Sequence, residues 1–252
     1  MKSVYFNLAL LVLFCVPSAS IATPPETNTP VLRVRYISIR KERAGRYDIS
    51  VQYPVFAGSS PMARLANESL RAYAVSSTDK FIQQAESDYA EQGNLGPSNG
   101  YSLELKPTVS LAHSGLISVY FSRYTYMGGA HPNTEYPSQS FGIVGGKAKR
   151  LVLADLFDKN KDPYAALSSV ALPKLKARGA SSVTQGSIEK LDKEILRDWV
   201  ITPRGITLLF APYAVASYAE GAFITKIGFR ELNGTWGVNG PLKGLLTQSR
   251  LP

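Results

Sequence analysis

The chain carries two histidines, His113 and His131, and one cysteine, Cys15. His131 lies in YFSRYTYMGGAHPNTEY, Tyr120 to Tyr136, between a Gly-Gly pair and a proline and among tyrosines. An imidazole in that setting could act as a general base or a metal ligand. A base for a serine nucleophile needs that serine in a tight elbow, and no G-x-S-x-G occurs. Zinc needs two or three His or Cys ligands, and only His113 could join His131. The H-E-x-x-H pattern is absent. Asp155, Asp158 and Asp162 in DLFDKNKD form an acidic run, but it lacks the glycine and terminal glutamate of a calcium loop. These aspartates read as caps at a helix entry. Glycoside hydrolysis needs two facing carboxylates, and Glu220 in YAVASYAEGAF is the acid placed most suggestively. Its competing role is a loop carboxylate that accepts hydrogen bonds from nearby backbone. No Gly-rich phosphate loop follows a strand, so nucleotide binding has no support. No metal site, cofactor or catalytic residue is therefore assigned. His131 with Glu220 remains the one enzymatic alternative, as a peptidoglycan or glycan hydrolase.

The same residues also support a conformational reading. Gly128 and Gly129 open backbone angles closed to other residues. Pro132 restricts His131 to extended conformations, so the histidine can shape a tight corner at a strand end. Tyr124, Tyr126, Tyr136, Tyr213 and Tyr218 would give an amphipathic rim, since tyrosine joins apolar area to a polar tip. The residues expected to meet a partner are Tyr124, Tyr126, Gly128, Gly129, His131, Pro132, Asn133, Tyr213, Tyr218 and Glu220.

Secondary structure must position these groups. Residues 31–56 read as two strands around a turn at Ala44-Gly45. A long helix is predicted from Pro61, with Gly93 as its stop, and NLGPSNG as a loop. Strands flank Ser114-Gly115, and the second has one apolar face (Ile117, Val119, Phe121) and one polar face, as in a half-covered antiparallel sheet. A hairpin turns at Gly145-Gly146. A helix starts near Asp162-Pro163 and ends by Gly179, with Pro173 able to kink or end it early. SIEKLDKEILRDW reads as a second short helix. ITLLFAP and AFITKIGF read as two strands around a Tyr-rich loop, and the segment after Trp236 as poorly structured. The class is α+β: antiparallel sheets, one long helix in the N-terminal half, and one or two helices in the C-terminal half.

The first residues set the expected compartment. Lys2 precedes an apolar run from Val4 to Val16, and Ser20-Ile21-Ala22 offers small residues for a signal peptidase. Residues 1–22 are expected to be a signal peptide cleaved after Ala22, and 23–30 a flexible Pro/Thr-rich linker. Phe14 before Cys15 is too bulky for a lipidation site, so Cys15 leaves with the signal peptide and disulfides are excluded. No transmembrane anchor is expected in the mature chain. The formal charge of +9 suits anionic surroundings in the periplasm or cell envelope, not nucleic acid, whose compartment is wrong.

YTYMGGAHPNTEYPSQSFGIVGGKAKRLVLADLF, then a helix, then ITPRGITLLFAPYAVASYAEGAFITKIGF, resembles the RsiV-like domain of secreted bacterial proteins. Tyr124, Tyr126, Gly128, Gly129, Ala130, His131, Asp155, Leu156, Phe157, Pro212, Tyr213, Tyr218 and Gly221 carry the resemblance. The half from Arg33 to Tyr120 is similar to the companion module of PdaC-type peptidoglycan deacetylases. The resemblance divides the chain into an N-terminal α+β module at 31–120, an RsiV-like module at 121–235 and a tail at 236–252. It implies a non-enzymatic binding module, whose partner is a lysozyme-like muramidase or the anionic wall polymer itself. A basic structural envelope protein held by charge is the remaining alternative.

Overall fold

The computed structural model describes residues 31–93 and 100–249. The expected signal peptide, linker and most of the NLGPSNG loop lie outside the described residues. No described helix is long and apolar enough to cross a membrane. The fold is the expected mixture of α and β.

Strands β1 (Val34–Arg43) and β2 (Tyr47–Phe56) form an antiparallel hairpin with Val34 opposite Phe56. Helix α1 (Pro61–Gln92) begins where the Ser60 hydroxyl accepts the Ala63 N–H at 3.1 Å. It ends at Gly93, whose φ of +70° is open to glycine and whose N–H reaches Tyr89 O at 2.8 Å. Met62, Ala66, Leu70, Ala74, Phe81 and Ala85 recur on one face of α1 and are buried. They share a core with Ile49, Val51, Leu103, Leu105, Ile117, Val119 and Phe121 of the sheet. Because α1 carries the chain back across the sheet, β2 pairs in parallel with β3 (Tyr101–His113). Every other neighbouring pair in the two sheets is antiparallel.

β4 (Leu116–Tyr126), β5 (Asn133–Glu135), β6 (Ser138–Val144) and β7 (Lys147–Arg150) complete this sheet, ordered β1-β2-β3-β4-β6-β7 with β5 also on β4. β5 and β6 lie end to end along β4, separated by Tyr136 and Pro137. The division drawn after Tyr120 thus falls inside β4, and both halves contribute strands to one sheet.

The second half builds its own core. Helix α2 (Pro163–Ala177) is capped by Asp162, which accepts the Tyr164 N–H at 2.8 Å. Pro173 sits on the exposed face and does not end the helix. After α3 (Ser181–Thr184), strands β8 (Trp199–Thr202), β9 (Gly205–Phe210) and β10 (Phe223–Gly228) form a sheet ordered β10-β9-β8. Leu167, Ala171 and Leu175 of α2 pack with Ile206, Leu208, Phe210, Phe223 and Ile227.

Three local expectations need correction. SIEKLDKEILRDW is not a helix: Ser168 of α2 bonds both the N–H and the carbonyl of Leu191, which pins the segment open, and Asp192 Oδ1 then accepts from Glu194 and Ile195 in a turn. The last residue of that stretch, Trp199, opens β8, a strand whose VIT run was too short to stand out. The stretch after Trp236 is ordered over its described residues, because Trp236, Leu242, Leu245 and Leu246 are buried and Lys243–Ser249 forms helix α4.

The polar face of β4 is also covered at Ser118, where a water-facing side was expected. Ile201 N of β8 donates to Ser118 Oγ at 2.8 Å, and Ser118 Oγ lies 2.7 Å from Ser140 Oγ. Trp199 N donates to Ser138 Oγ at 2.9 Å, and Ser138 N to Asp198 Oδ1 at 3.2 Å. Ser118 and Ser138 thus accept backbone N–H groups of β8 and join the two sheets.

Candidate functional site

The residues between β4 and β5, Met127 to Pro132, form a loop that the second half of the chain meets at its Tyr-rich segment. Gly128 has φ +79°, and a Cβ there would stand 3.3 Å from the Tyr101 ring. That glycine turns the chain out of β4. Past it, His131 is exposed and its ring stacks on Tyr218, centroids 3.8 Å apart and planes 23° apart. Tyr218 donates its hydroxyl to Pro132 O at 2.7 Å. His131 Nδ1 lies 3.0 Å from the same carbonyl, which can only accept, so Nδ1 is the donor in that contact. Nε2 then faces the Tyr213 hydroxyl at 3.5 Å.

Tyr213 completes a three-ring ridge, 5.5 Å from Tyr218 and 6.4 Å from His131 between centroids. It follows Pro212 in a turn closed by Ala214 N to Ala211 O at 3.0 Å. Its φ is +72°, and among the described residues no other non-glycine has positive φ. Proline then positive φ is the pattern of a type II turn, whose third position favours glycine or asparagine. A bulky aromatic occupies it here and is 63% exposed. Beside it opens a hollow of about 310 Å³ walled by Ile195, Leu209 and Pro212.

Glu220 is committed elsewhere. Its carboxylate accepts from Ser181 Oγ and Ser181 N (3.1 Å), and from Ser217 Oγ (2.8 Å) and Ser217 N (3.0 Å). The Ser181 and Ser217 hydroxyls hold it down at about 2. A carboxyl ionised that firmly is unsuited to act as a general acid near neutrality. It closes the Ser217–Glu220 turn, and Gly221 leaves that turn at φ +74°. Ser181 at the start of α3 was not foreseen as its partner. The Ser-x-x-Glu spacing of 217–220 is a capping-box pattern and was the available signal.

Of the remaining candidates, Tyr124 and Tyr126 lie on β4 opposite Glu104 and Ser102, partly exposed and without ring contact to the ridge. Asn133 opens β5 opposite Thr125, and Gly129 has open space where a Cβ would stand. Residues 113 and 131 do not converge on a metal site: His113 ends β3 and bridges to Val31. No group of three His, Cys, Asp or Glu suited to a metal ion occurs among the described residues.

Two family models match separate parts of the chain. Residues 41–134 match the family model described as Deacetylase PdaC, and 154–230 the one described as Protein of unknown function (DUF3298). The chain is similar in fold to a DUF3298 family member from Bacteroides fragilis, with TM-score 0.58 at 16% identity over 86% of this chain and 99% of that one. A DUF3298 family protein from Pseudomonas aeruginosa PAO1 gives TM-score 0.51 at 14% identity over 81% and 95%. No curated protein matches. The RsiV-like resemblance is thereby matched at the coarser level of DUF3298 beside a PdaC-type segment.

Proposed function

We propose that the chain is an exported, non-enzymatic binding module of the cell envelope, which docks a protein partner through the ridge of His131, Tyr213 and Tyr218. The carrying observation is Tyr213, an exposed aromatic held in a turn position that favours glycine. Left-handed backbone costs a non-glycine residue about 1–2 kcal/mol. Such a cost persists where the surroundings enforce it, and function is the usual reason. Here two loops from distant parts of the chain brace the ring through His131 and Tyr218. The Ser181 clamp on Glu220 fixes the loop from below. A rigid tyrosine on a rigid loop loses little entropy on docking, which suits an interface anchor.

The partner class proposed is a wall-cleaving muramidase, with the ridge entering its substrate cleft. Export rests on the Lys2-to-Ala22 signal, and the muramidase on the RsiV-like resemblance of the loop residues. Against the hydrolase alternative stands the engagement of the Glu220 carboxylate by two serines. Capture on immobilised chain, residues 23–252, tests the proposal against a muramidase and against purified peptidoglycan, at low and high salt. Salt-resistant capture of the muramidase is expected. Capture of peptidoglycan alone, lost in salt, would instead fit a basic envelope protein held by charge.

A further inference from the structure

A second concavity lies away from the ridge, between α1 and the β4–β5 edge. Its volume is about 440 Å³, within the roughly 300–1,000 Å³ of small-molecule sites. α1 supplies two rows of one face. Tyr73 and Ser77 make one row, and Ser76 and Lys80 the other. The sheet supplies Arg123 and Glu135, paired at 2.7 Å across β4 and β5. The segment before β8 supplies Arg197 and Asp198, paired at 3.2 Å. Three elements thus aim polar groups into one space.

The chemistry of those groups narrows the ligand. Three cations face two carboxylates, so the cleft favours a single negative charge. Lys80 is exposed and Arg197 is 60% exposed, so both cations stand at the mouth. Glu135 and Asp198 are already held by Arg123 and Arg197, and their remaining lone pairs can accept further hydroxyl donors. The Ser76, Ser77 and Tyr73 hydroxyls can both donate and accept. Tyr73 also offers an apolar wall, its ring packed 5.1 Å from Phe121, and Pro137 lines the same cleft. Alternating donors and acceptors beside an aromatic wall suit a ring bearing several hydroxyls. The excess cation at the mouth suits a carboxylate on that ring. Asp198 is mostly withdrawn from water, and burial raises its carboxyl above the usual range against the pull of Arg197. Burial likewise raises the Tyr73 phenol. Both are marks of a partly desolvated cleft.

We infer that this cleft binds a monoanionic sugar acid, with the ligand's hydroxyls on Glu135, Asp198 and the α1 serines and its carboxylate at Lys80 and Arg197. The cleft and the hollow beside Tyr213 share Arg197 and Asp198 as a common wall. A longer chain of such sugars would therefore extend toward the ridge.

Titration of the 23–252 chain, followed by amide chemical shifts, tests this with three probes. Glucuronate carries the ring and the carboxylate, glucose the ring alone, and glutamate a carboxylate without the ring. Saturable shifts at Ser76, Ser77, Lys80 and Asp198 are expected with glucuronate, at a roughly millimolar Kd. Glucose is expected to bind about tenfold more weakly, and Arg197→Gln to lower glucuronate affinity by about tenfold, as loss of one charged contact does. Arg197→Gln changes an exposed side chain, so the fold is kept. Equal binding of glucose would overturn the anionic part, and equal binding of glutamate the sugar part. Absence of saturable shifts with glucuronate would overturn the site.

Discussion

His131 lies flat on Tyr218, ring centroids 3.8 Å apart, while the Tyr218 hydroxyl donates to the carbonyl of the very next residue, Pro132. One contact is a stack and the other a hydrogen bond, and together they lock a loop after β4 to a loop before β10. Tyr213 leans on both. The exposed ridge is therefore a joint between the two halves of the chain.

That joint makes Tyr213 separable into a stability role and a binding role. Tyr213→Gly relieves the positive φ but gives up ring contacts that are largely exposed. The variant is expected to unfold at the same urea midpoint as wild type or slightly above it, within about 1 kcal/mol. Tyr213→Ala keeps the backbone strain and loses the ring, and is expected to be the less stable of the two. Urea unfolding of the two variants checks the order.

Glu220 gives a pH signature. An unfolded glutamate titrates near about 4.3, while the folded one is held at about 2. Its pKa falls on folding, so its stabilisation is fully present above the unfolded value and is lost as pH falls toward about 2. Glu220→Gln removes this contribution. The thermal midpoint of Glu220→Gln is expected to lie below wild type at pH 6, and the gap to close on acidification through that window. A gap that stays constant with pH would show that the carboxylate's charge is not what the serines read.

The serine contacts between the sheets predict a larger effect from a smaller change. Ser118→Ala removes the acceptor for Ile201 N in a fully buried place. An orphaned buried N–H costs about 1–3 kcal/mol, and chemical denaturation should show a loss of that size. Ser122→Ala, on the partly exposed part of the same strand, is expected to stay within about 0.5 kcal/mol.

One buried group runs the other way. Thr225 Oγ1 in β10 is buried without a hydrogen-bond partner. Thr225→Val keeps the shape and removes the unsatisfied hydroxyl. A gain of about 1 kcal/mol in unfolding free energy is expected by urea titration.

Much of the fold was legible because glycine and proline mark its ends. Pro61 and Gly93 bound α1, and the Ser114-Gly115 and Gly145-Gly146 turns stand where the hairpins reverse. β8 was not legible: it is short, and its bonds to Ser118 and Ser138 come from far along the chain. The same remoteness hid the covering of β4, since alternation shows that a face is polar and not what the polar groups touch. SIEKLDKEILRDW has helical spacing, but Ser168 competes for its backbone at Leu191. At the ridge, residue types were readable and the geometry was not. Nothing local places Tyr213 at φ +72°, or gives the carboxylate of Glu220 to Ser181. The cleft at Asp198 was missed for a related reason, since its walls come from three elements.

The most direct test of the docking account is a calorimetric titration of the 23–252 chain and of its Tyr213→Ala variant into a muramidase, at about 0.15 M salt so that long-range charge is screened. The account predicts saturable binding by wild type and a loss of about 1 kcal/mol or more in the variant, the size expected for an aromatic anchor. No binding by wild type, or equal affinity in the two proteins, would contradict it.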